Sequence, residues 1–249
     1  MKLLIDTELF LFRAAAASEY EAEWAPDEWT YLCRHGDAKA TFQGTVGELM
    51  DMAPDHQPVM VFGGRASFRY AIYPAYKSNR KGMRRPAGYR ALTEWVKGTA
   101  KGRGWEVLSL PEVEGDDALG LASDFGDIIA SDDKDMLTIP GTLIRNGEIL
   151  EITGDQADRN FFQQTLTGDT SDGYPGCPGI GAVKAERLLD RCRTPAEMWG
   201  ACLQAFRKAE KSEAFALQMA RCARILRRGE YDYKAQAPML WSPEGWPKS

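Results

Sequence analysis

The sequence has few of the residues that build most transition-metal and disulfide sites. It contains two histidines and five cysteines in 249 residues, and no two cysteines are spaced as Cys-x-x-Cys. An odd number of scattered cysteines argues against a zinc site and a disulfide framework, and it fits a reducing compartment. A metal site in this chain must therefore be built from carboxylates, which select hard ions such as Mg²⁺ or Mn²⁺.

Long hydrophobic runs are also missing. No stretch of about 18 apolar residues occurs, so neither a membrane span nor a membrane partner is expected. The apolar start of the chain meets a carboxylate at Asp6, too early for a signal peptide. We therefore expect the protein to act in the cytoplasm.

The net charge of −5 disfavours nucleic acid as a partner at first sight, but the charges are segregated. Residues 65–103 carry eleven bases and one acid, residues 112–172 carry fifteen acids and three bases, and residues 184–234 carry twelve bases and seven acids. An uneven solvated surface is one interpretation. The other is a carboxylate pocket flanked by surfaces that hold a phosphate backbone.

Short apolar segments alternate with segments that favour helices. Strands are predicted at 2–5, 59–62, 105–108 and 127–130, with a hairpin at 142–145 and 148–152; helices are predicted at 10–17, 27–50, 87–101 and from 115. This alternation predicts an α/β fold with a mainly parallel sheet and flanking helices, over residues 1–153. Residues 154–249 are mostly helical and are predicted to form an attached subdomain and tail.

Acidic residues fall into four groups, three of which follow predicted strands. In an open parallel sheet, chemistry gathers beyond the carboxyl ends of the strands. Each group alone has a plain explanation, such as a helix start or a turn. Together they repel one another unless cations bind, and two divalent ions about 3.5–4 Å apart can activate water for phosphodiester hydrolysis. The groups are Asp6; Glu114, Asp116 and Asp117; Asp133 and Asp135; and Asp169 and Asp172, whose spacing fits one helix face.

A glycine-rich turn precedes a predicted helix at residues 176–185. Gly179, Ile180 and Gly181 allow a tight turn whose backbone N–H groups face a ligand, and Lys184 adds charge one turn later. This pattern is typical of a helix–hairpin–helix, which binds duplex backbone regardless of sequence. A plain corner between two helices remains the alternative.

Residues 68–85 interleave aromatic rings with cations. Proteins that bind single strands stack bases on aromatic rings and pair phosphates with cations. The candidate phosphate contacts are Lys77, Arg80, Lys81, Arg84 and Arg85. The alternative is a surface loop rich in lysine and arginine.

Together these motifs resemble the 5′-nuclease (flap endonuclease) family, which includes the N-terminal domain of bacterial DNA polymerase I. The chain is most similar to the stand-alone 5′→3′ exonucleases of T7-like bacteriophages. The resemblance covers most of the chain, and it is carried by Glu114-Gly-Asp-Asp-Ala-Leu, Ser131-Asp-Asp-Lys-Asp135, Thr167-Gly-Asp-Thr-Ser-Asp172 and Gly179-Ile-Gly.

The resemblance implies a PIN-like α/β domain with a basic arch at residues 63–86 and a helix–hairpin–helix subdomain. It implies two Mg²⁺ ions, replaceable by Mn²⁺, and K⁺ at the glycine-rich turn. The substrates it implies are DNA with 5′ ends or flaps and RNA in RNA–DNA hybrids, in the host cytoplasm if a phage encodes the chain. The oligomeric state is left open.

The same resemblance assigns roles to individual residues. Asp133 and Asp135 would bridge or support the pair of metals, Lys77 and Arg80 would contact the region of the scissile phosphate, and Tyr76 would stack on a base. The first metal would be held by Asp6, Glu114, Asp116 and Asp117, and the second by Asp169 and Asp172.

One departure from the family pattern follows the second predicted strand. Relatives place an aspartate there, whereas Phe62 is followed by Gly63 and Gly64. Two functions therefore remain open: an active two-metal nuclease, or a catalytically impaired protein that binds branched DNA. A haloacid-type phosphatase is disfavoured, because it needs a second aspartate two residues after Asp6 and Glu8 stands there.

Overall fold

The computed structural model describes residues 1–244, so residues 245–249 of the predicted C-terminal subdomain lie outside the described chain. In chain order the strands are β1 (Lys2–Asp6), β2 (Glu19–Ala25), β3 (Glu28–Cys33), β4 (Gln57–Phe62), β5 (Glu106–Ser109), β6 (Ile128–Ala130), β7 (Gly141–Arg145), β8 (Glu148–Ile152), β9 (Tyr231–Asp232) and β10 (Ala237–Pro238). The α-helices are α1 (Thr7–Ala17), α2 (His35–Met52), α3 (Arg69–Ile72), α4 (Tyr89–Gly102), α5 (Gly115–Ala122), α6 (Gly154–Thr167), α7 (Ala182–Leu189), α8 (Pro195–Lys208) and α9 (Glu213–Ala223). Short 3₁₀ turns occupy Ser78–Arg80 and Lys134–Thr138.

A six-stranded sheet organises the first part of the chain, in the order β5-β4-β1-β6-β7-β8. All neighbours are parallel except β7 and β8, which form the predicted antiparallel hairpin. The prediction of a mainly parallel α/β fold with flanking helices is confirmed. Because β1 lies at the centre with β4 and β6 on either side, the carboxyl ends of these three strands meet at one edge of the sheet.

Strand β1 is buried on both faces, as its apolar run predicts. Leu3, Leu4 and Ile5 are each fully buried. Successive side chains of a strand point to opposite faces, so Leu3 and Ile5 join the core with α1, α2 and α4, whereas Leu4 joins the core with α5. Asp6 ends the strand and accepts a hydrogen bond from the backbone N–H of Leu9, which caps α1.

A β-hairpin that the sequence analysis missed lies between α1 and α2. Residues 27–50 were predicted as one helix, but α2 begins at His35 and strand β3 occupies the residues before it. The segment contains Trp29 and Tyr31, residue types that fit a pleated surface, and β3 pairs with β2 along its length. The turn is made at Asp27, whose φ of 64° is left-handed.

The helical part has its own core, formed mainly by α6, α7, α8 and α9. The end of the described chain returns to the sheet, where Ile225, Leu226 and Tyr231 pack with residues of β1, β4 and β6. A division of the chain at residue 153 therefore stays a prediction. Within residues 1–244, no helix combines the length and the hydrophobicity needed to cross a membrane.

Arg69 ties the sheet domain to the helical part. Its side chain is 1% exposed, and it donates to both carboxylate oxygens of Asp117 on α5 at 2.6 and 2.8 Å. It also donates to the backbone carbonyl oxygens of Cys222 and Arg224, at the end of α9. The predicted arch is therefore anchored in its first half, and residues 78–85 form a continuous exposed stretch.

We expect Arg69→Met to lower the free energy of unfolding by about 3–5 kcal/mol, because it leaves the carboxylate of Asp117 buried without its partner. The matched control is Arg13→Met, whose half-exposed side chain pairs with Asp132 at the surface. That change should cost at most about 1 kcal/mol. Urea denaturation followed by tryptophan fluorescence measures both; equal losses would contradict a central role for Arg69.

Candidate metal centre and nucleic-acid surface

The carboxylates of Asp6, Asp116 and Asp133 lie near one another at the carboxyl edge of the sheet. Ser131 follows β6, and its hydroxyl donates to Asp6 Oδ2 at 2.6 Å while accepting from the backbone N–H of Asp133 at 3.1 Å. Asp116 lies in the first turn of α5. These residues come from three separate elements, and the parallel order of β1 and β6 brings them together.

The carboxylates of this first group repel one another. Burial raises the pKa of Asp6 to about 6, and the negative charges of Asp133 and Glu8 add to the shift. Burial also raises the pKa of Asp116 well above its usual range, with Asp6 and Asp133 as the main charged neighbours. Such repulsion is the condition that a bound cation relieves.

A second group contains Asp135, Asp169 and Asp172. Burial raises the pKa of Asp135 to about 6, and Asp133, Asp169 and Asp172 raise it further, against the lowering effect of Lys134. The first and second groups are therefore adjacent, because Asp133 of the first group acts on Asp135 of the second as well as on Asp116.

The placement of Asp169 and Asp172 on one helix face was wrong. Helix α6 ends at Thr167, and both aspartates lie in the following loop. There, Asp169 Oδ1 accepts hydrogen bonds from the backbone N–H groups of Ser171 and Asp172, at 2.7 and 3.2 Å. These local bonds stabilise a turn, which explains why the spacing of three does not continue a helix.

Basic side chains pair with Glu114 and with the acids of the second group. Lys77 pairs with Glu114 and also approaches Asp172 at 3.7 Å, and Arg80 pairs with Asp172 at 2.6 Å. Lys134 pairs with Asp169 and lies 3.4 Å from Asp135. Arg80, Lys77 and Lys134 thus occupy positions among the acids where positive charge is needed.

The position of Lys77 is fixed by its backbone. Its φ of 51° is left-handed, and its N–H donates to the carbonyl oxygen of Asp172 at 2.7 Å. Burial works to lower the pKa of Lys77, but Glu114 and Asp172 raise it. Glu114 behaves in the reciprocal way, because Arg69 and Lys77 hold its pKa below the usual value despite its burial.

The prediction that Tyr76 stacks on a base is wrong for this structure. Its ring is 2% exposed and packs in the helical core beside Tyr174. Its hydroxyl donates to Glu114 at 2.7 Å and to Asp172 at 2.8 Å. The hydroxyl of Tyr76 therefore joins Glu114 to Asp172 of the second group. Neither face of its ring is available to a nucleobase.

The prediction that Asp117 binds the first metal is also wrong for this structure. Its side chain is fully buried, and both oxygens accept from Arg69. The same carboxylate accepts from the backbone N–H groups of Leu226 and Glu114, at 3.1 Å each. Asp117 is therefore a structural partner of Arg69, and Asp116 alone of the adjacent pair faces Asp6 and Asp133.

The donor set fits hard divalent cations, since it consists of carboxylate oxygens. Within residues 1–244, no three histidine, cysteine, aspartate or glutamate side chains converge closely enough to hold a metal ion together. Lys77, Arg80 and Lys134 instead pair with Glu114, Asp172 and Asp169.

The remaining cations of the predicted DNA surface are exposed beyond the anchored part of the segment. Lys81 and Arg85 are exposed, and Arg85 lies over the ring of Tyr89, 4.9 Å from its centroid. Arg84 pairs with Glu19 on β2 at 2.5 Å and lies over the ring of Tyr31 at 3.7 Å. The hairpin thus holds Arg84 in place, whereas Lys81 remains open to solvent.

The glycine-rich turn joins helices α6 and α7, which pack together. Gly179 has the left-handed φ of 75° that such a turn requires, and Gly181 caps α7, which begins at the next residue. Lys184 Nζ donates to the carbonyl oxygen of Gly179 at 2.9 Å, and Ile180 packs on the helical core. The connection between the helices is longer than the sequence suggested, because it spans residues 168–181.

Four side chains that the structure places at the site are not among the site residues predicted from the sequence. They are Glu8, Arg69, Lys134 and Ser131. Ser131 and Lys134 belong to a motif that had been singled out for its aspartates. No local signal identified Arg69, because its partners lie far along the chain.

Comparisons with known proteins identify the family. The family model of the 5′-3′ exonuclease N-terminal, resolvase-like domain matches residues 1–164. The exodeoxyribonuclease of Enterobacteria phage T3 is 29% identical across 97% of this chain and 92% of the relative. The flap endonuclease Xni of Shewanella sp. (strain ANA-3) is 30% identical across 72% of this chain and 74% of the relative.

Solved structures share the fold. The phage T5 5′-exonuclease with bound zinc ions has a TM-score of 0.64 at 16% identity, covering 89% of this chain and 88% of that one. The complex of the bacteriophage T5 flap endonuclease with DNA and metal ions has a TM-score of 0.58 at 15% identity, with the same coverage.

The fold is an α/β fold with a mainly parallel sheet, and the carboxylates of Asp6, Asp116 and Asp133 lie at its carboxyl edge. The chain belongs to the 5′-3′ exonuclease family, and it is a 5′-3′ nuclease, which is a hydrolase.

The raised pKa values predict a stability that falls with pH. The folded protein binds protons at Asp6 and Asp135 more tightly than the unfolded chain, whose aspartates have a pKa near 3.8. The stabilisation is present at low pH and is lost as pH rises through about 6. Between pH 5 and 7.5 we expect the free energy of unfolding to fall by about 1 kcal/mol for each of these two carboxyls.

Denaturation in EDTA at the two pH values measures this difference. Asp135→Asn removes one of the titrating carboxyls and should reduce the slope, while raising stability at pH 7.5. A variant with the same slope as the unmodified protein would contradict the assignment.

Proposed function

We propose that this nuclease removes nucleotides from 5′ ends and cleaves 5′ flaps of DNA by a mechanism that uses two divalent cations. The observation that carries the proposal is the adjacency of the two carboxylate groups. Asp116 is influenced by Asp6 and Asp133, and Asp135 by Asp133 and Asp169. A continuous line of acids therefore joins the end of β1 to the loop after α6.

The oxygen-only donors favour Mg²⁺, with Mn²⁺ as a substitute. When bound, two such ions activate a water molecule and stabilise the attacking and leaving oxygens of a phosphodiester. The residues that would hold one ion are Asp6, Asp116 and Asp133, with Glu114 beside them. The residues that would hold the other are Asp135, Asp169 and Asp172.

Lys77 and Arg80 have two roles in this proposal. In the structure they neutralise Glu114 and Asp172. A scissile phosphate that enters the same space offers these cations a new partner, so the carboxylates become free to bind metal. The positive charge then lies where negative charge develops during the reaction.

The DNA surface follows from the distribution of basic residues on the chain. Lys81, Arg84 and Arg85 extend the exposed part of residues 63–86 and would contact a 5′ strand. Gly179, Ile180, Gly181 and Lys184 present the start of α7 to a duplex phosphate, and backbone carbonyl groups of the same turn would bind K⁺. RNA in RNA–DNA hybrids belongs to the same proposal, because backbone contacts read no bases.

A catalytically impaired protein that binds branched DNA is the second candidate, motivated by Gly63 and Gly64 in place of an aspartate. The two functions differ in turnover but not in binding. Structure-dependent binding in EDTA without turnover in Mg²⁺ or Mn²⁺ would establish this candidate instead.

The direct test uses a 5′-flap DNA substrate labelled at the 5′ end, incubated with Mg²⁺. We expect product release by the unmodified protein and none by Asp133→Ala/Asp135→Ala, because that variant loses the acids between the two groups. Retained DNA binding in EDTA shows that the variant is folded. Cleavage by the unmodified protein no faster than by this control defeats the proposal.

Lys77→Ala should slow single-turnover cleavage by about 10²-fold and weaken DNA binding only modestly, since one positioned cation contributes more to the transition state than to the whole footprint. Lys81→Ala is the matched control, because it removes an exposed cation that lies outside the carboxylate groups. It should reduce the salt dependence of binding with little effect on the rate. Similar effects of the two substitutions would show that Lys77 adds only background charge.

A further inference from the structure

Glu8 brings an additional carboxylate to the first group. It lies in the first turn of α1, two residues after Asp6, and its side chain is half-buried. Oε2 accepts a hydrogen bond from the backbone N–H of Gly63 at 2.9 Å, and Oε1 accepts from the hydroxyl of Tyr89 at 3.4 Å. Residues from three different elements therefore fix this carboxylate at the carboxyl edge of the sheet.

Glu8 fills the space that a side chain at position 63 would occupy. A Cβ atom added to Gly63 would lie 2.8 Å from Glu8 Oε2 and 3.1 Å from the backbone nitrogen of Gly115. A Cβ atom would lie 3.5 Å from the same oxygen if it were added to Gly115. The carboxylate of Glu8 thus lies between the end of β4 and the start of α5, whose first residues are Gly115 and Asp116.

The neighbouring glycine cannot carry the missing aspartate. A Cβ atom at Gly64 would collide with the backbone carbonyl oxygen of Leu110 and lie 3.1 Å from that of Val113. Backbone atoms cannot move aside as a flexible side chain can. Position 63 is therefore the less hindered of the two, because removal of Glu8 leaves the backbone nitrogen of Gly115, at 3.1 Å, as its nearest neighbour.

We propose that Glu8 supplies, from α1, the carboxylate that the family pattern places after β4, and that it helps to bind the divalent cation of the first group directly or through water. This inference rests on the proposed metal-dependent function. On this proposal α1 supplies the carboxylate that is missing after β4, so Gly63 and Gly64 do not indicate the loss of a metal ligand. The alternative role is purely structural: Glu8 would only hold the loop at Gly63.

The test measures Mn²⁺ binding to the full chain without DNA, by calorimetry and by the electron paramagnetic resonance signal of free Mn²⁺. Glu8→Gln keeps the shape of the side chain and an acceptor for the Gly63 N–H, so it preserves the structural role but removes the charge. We expect its Mn²⁺ affinity to fall by about tenfold. Glu94→Gln is the control, because Glu94 is an exposed carboxylate on α4 that lines the same cavity as Glu8. The Mn²⁺ affinity of this variant should not change.

The relocation itself is tested by Glu8→Ala/Gly63→Asp, which returns the carboxylate to β4. Glu8→Ala alone should lose at least as much affinity as Glu8→Gln, and the double substitution should recover most of it. Unchanged affinity in Glu8→Gln, or a loss in Glu8→Ala that Gly63→Asp does not recover, overturns the inference. Absence of Mn²⁺ binding by the unmodified protein would overturn the proposed function as well, so the two failures are distinguishable.

Discussion

The structure depends on one constraint, which is the burial of mutually repelling carboxylates at the carboxyl edge of a parallel sheet. Burial and repulsion both favour protonation, so Asp6 and Asp135 have pKa values near 6. Ionised acids can persist there only with positive charge nearby. The chain supplies that charge through Lys77, Arg80 and Lys134, each of which contacts an acid.

Arg69 and Tyr76 show how the basic segment is attached to this edge. Arg69 is buried between Asp117 and two backbone carbonyl groups at the end of α9, so it joins the sheet domain to the helical part. Tyr76 is buried in the helical core, and its hydroxyl reaches Glu114 and Asp172. These anchors determine the position of Lys77, which follows directly. The cations that neutralise the acids are thus fixed by the same contacts that join the two parts of the protein.

Much of the architecture was predictable because local sequence patterns indicate the same helices and strands that the folded chain contains. The apolar run before Asp6, the helix start at Glu114 and the Asn146-Gly147 turn each specify an element without help from distant residues. The hairpin of β2 and β3 was not predictable in this way. Its acidic and aromatic residues also fit a helix pattern, and pairing between the two strands decides the outcome. The positions of Tyr76 and Asp117 likewise depend on partners that are remote in sequence.

The sequence by itself determined the class of fold and the acidic motifs, most of which follow strands. These properties arise from periodicity and spacing, which act over a few residues. Only the tertiary structure decided which acids face one another and which acids pair with arginine or lysine. It also decided that Glu8 occupies the space beside Gly63. Those outcomes depend on distances between side chains far apart in the chain, and a pattern of residue types carries no information about such distances.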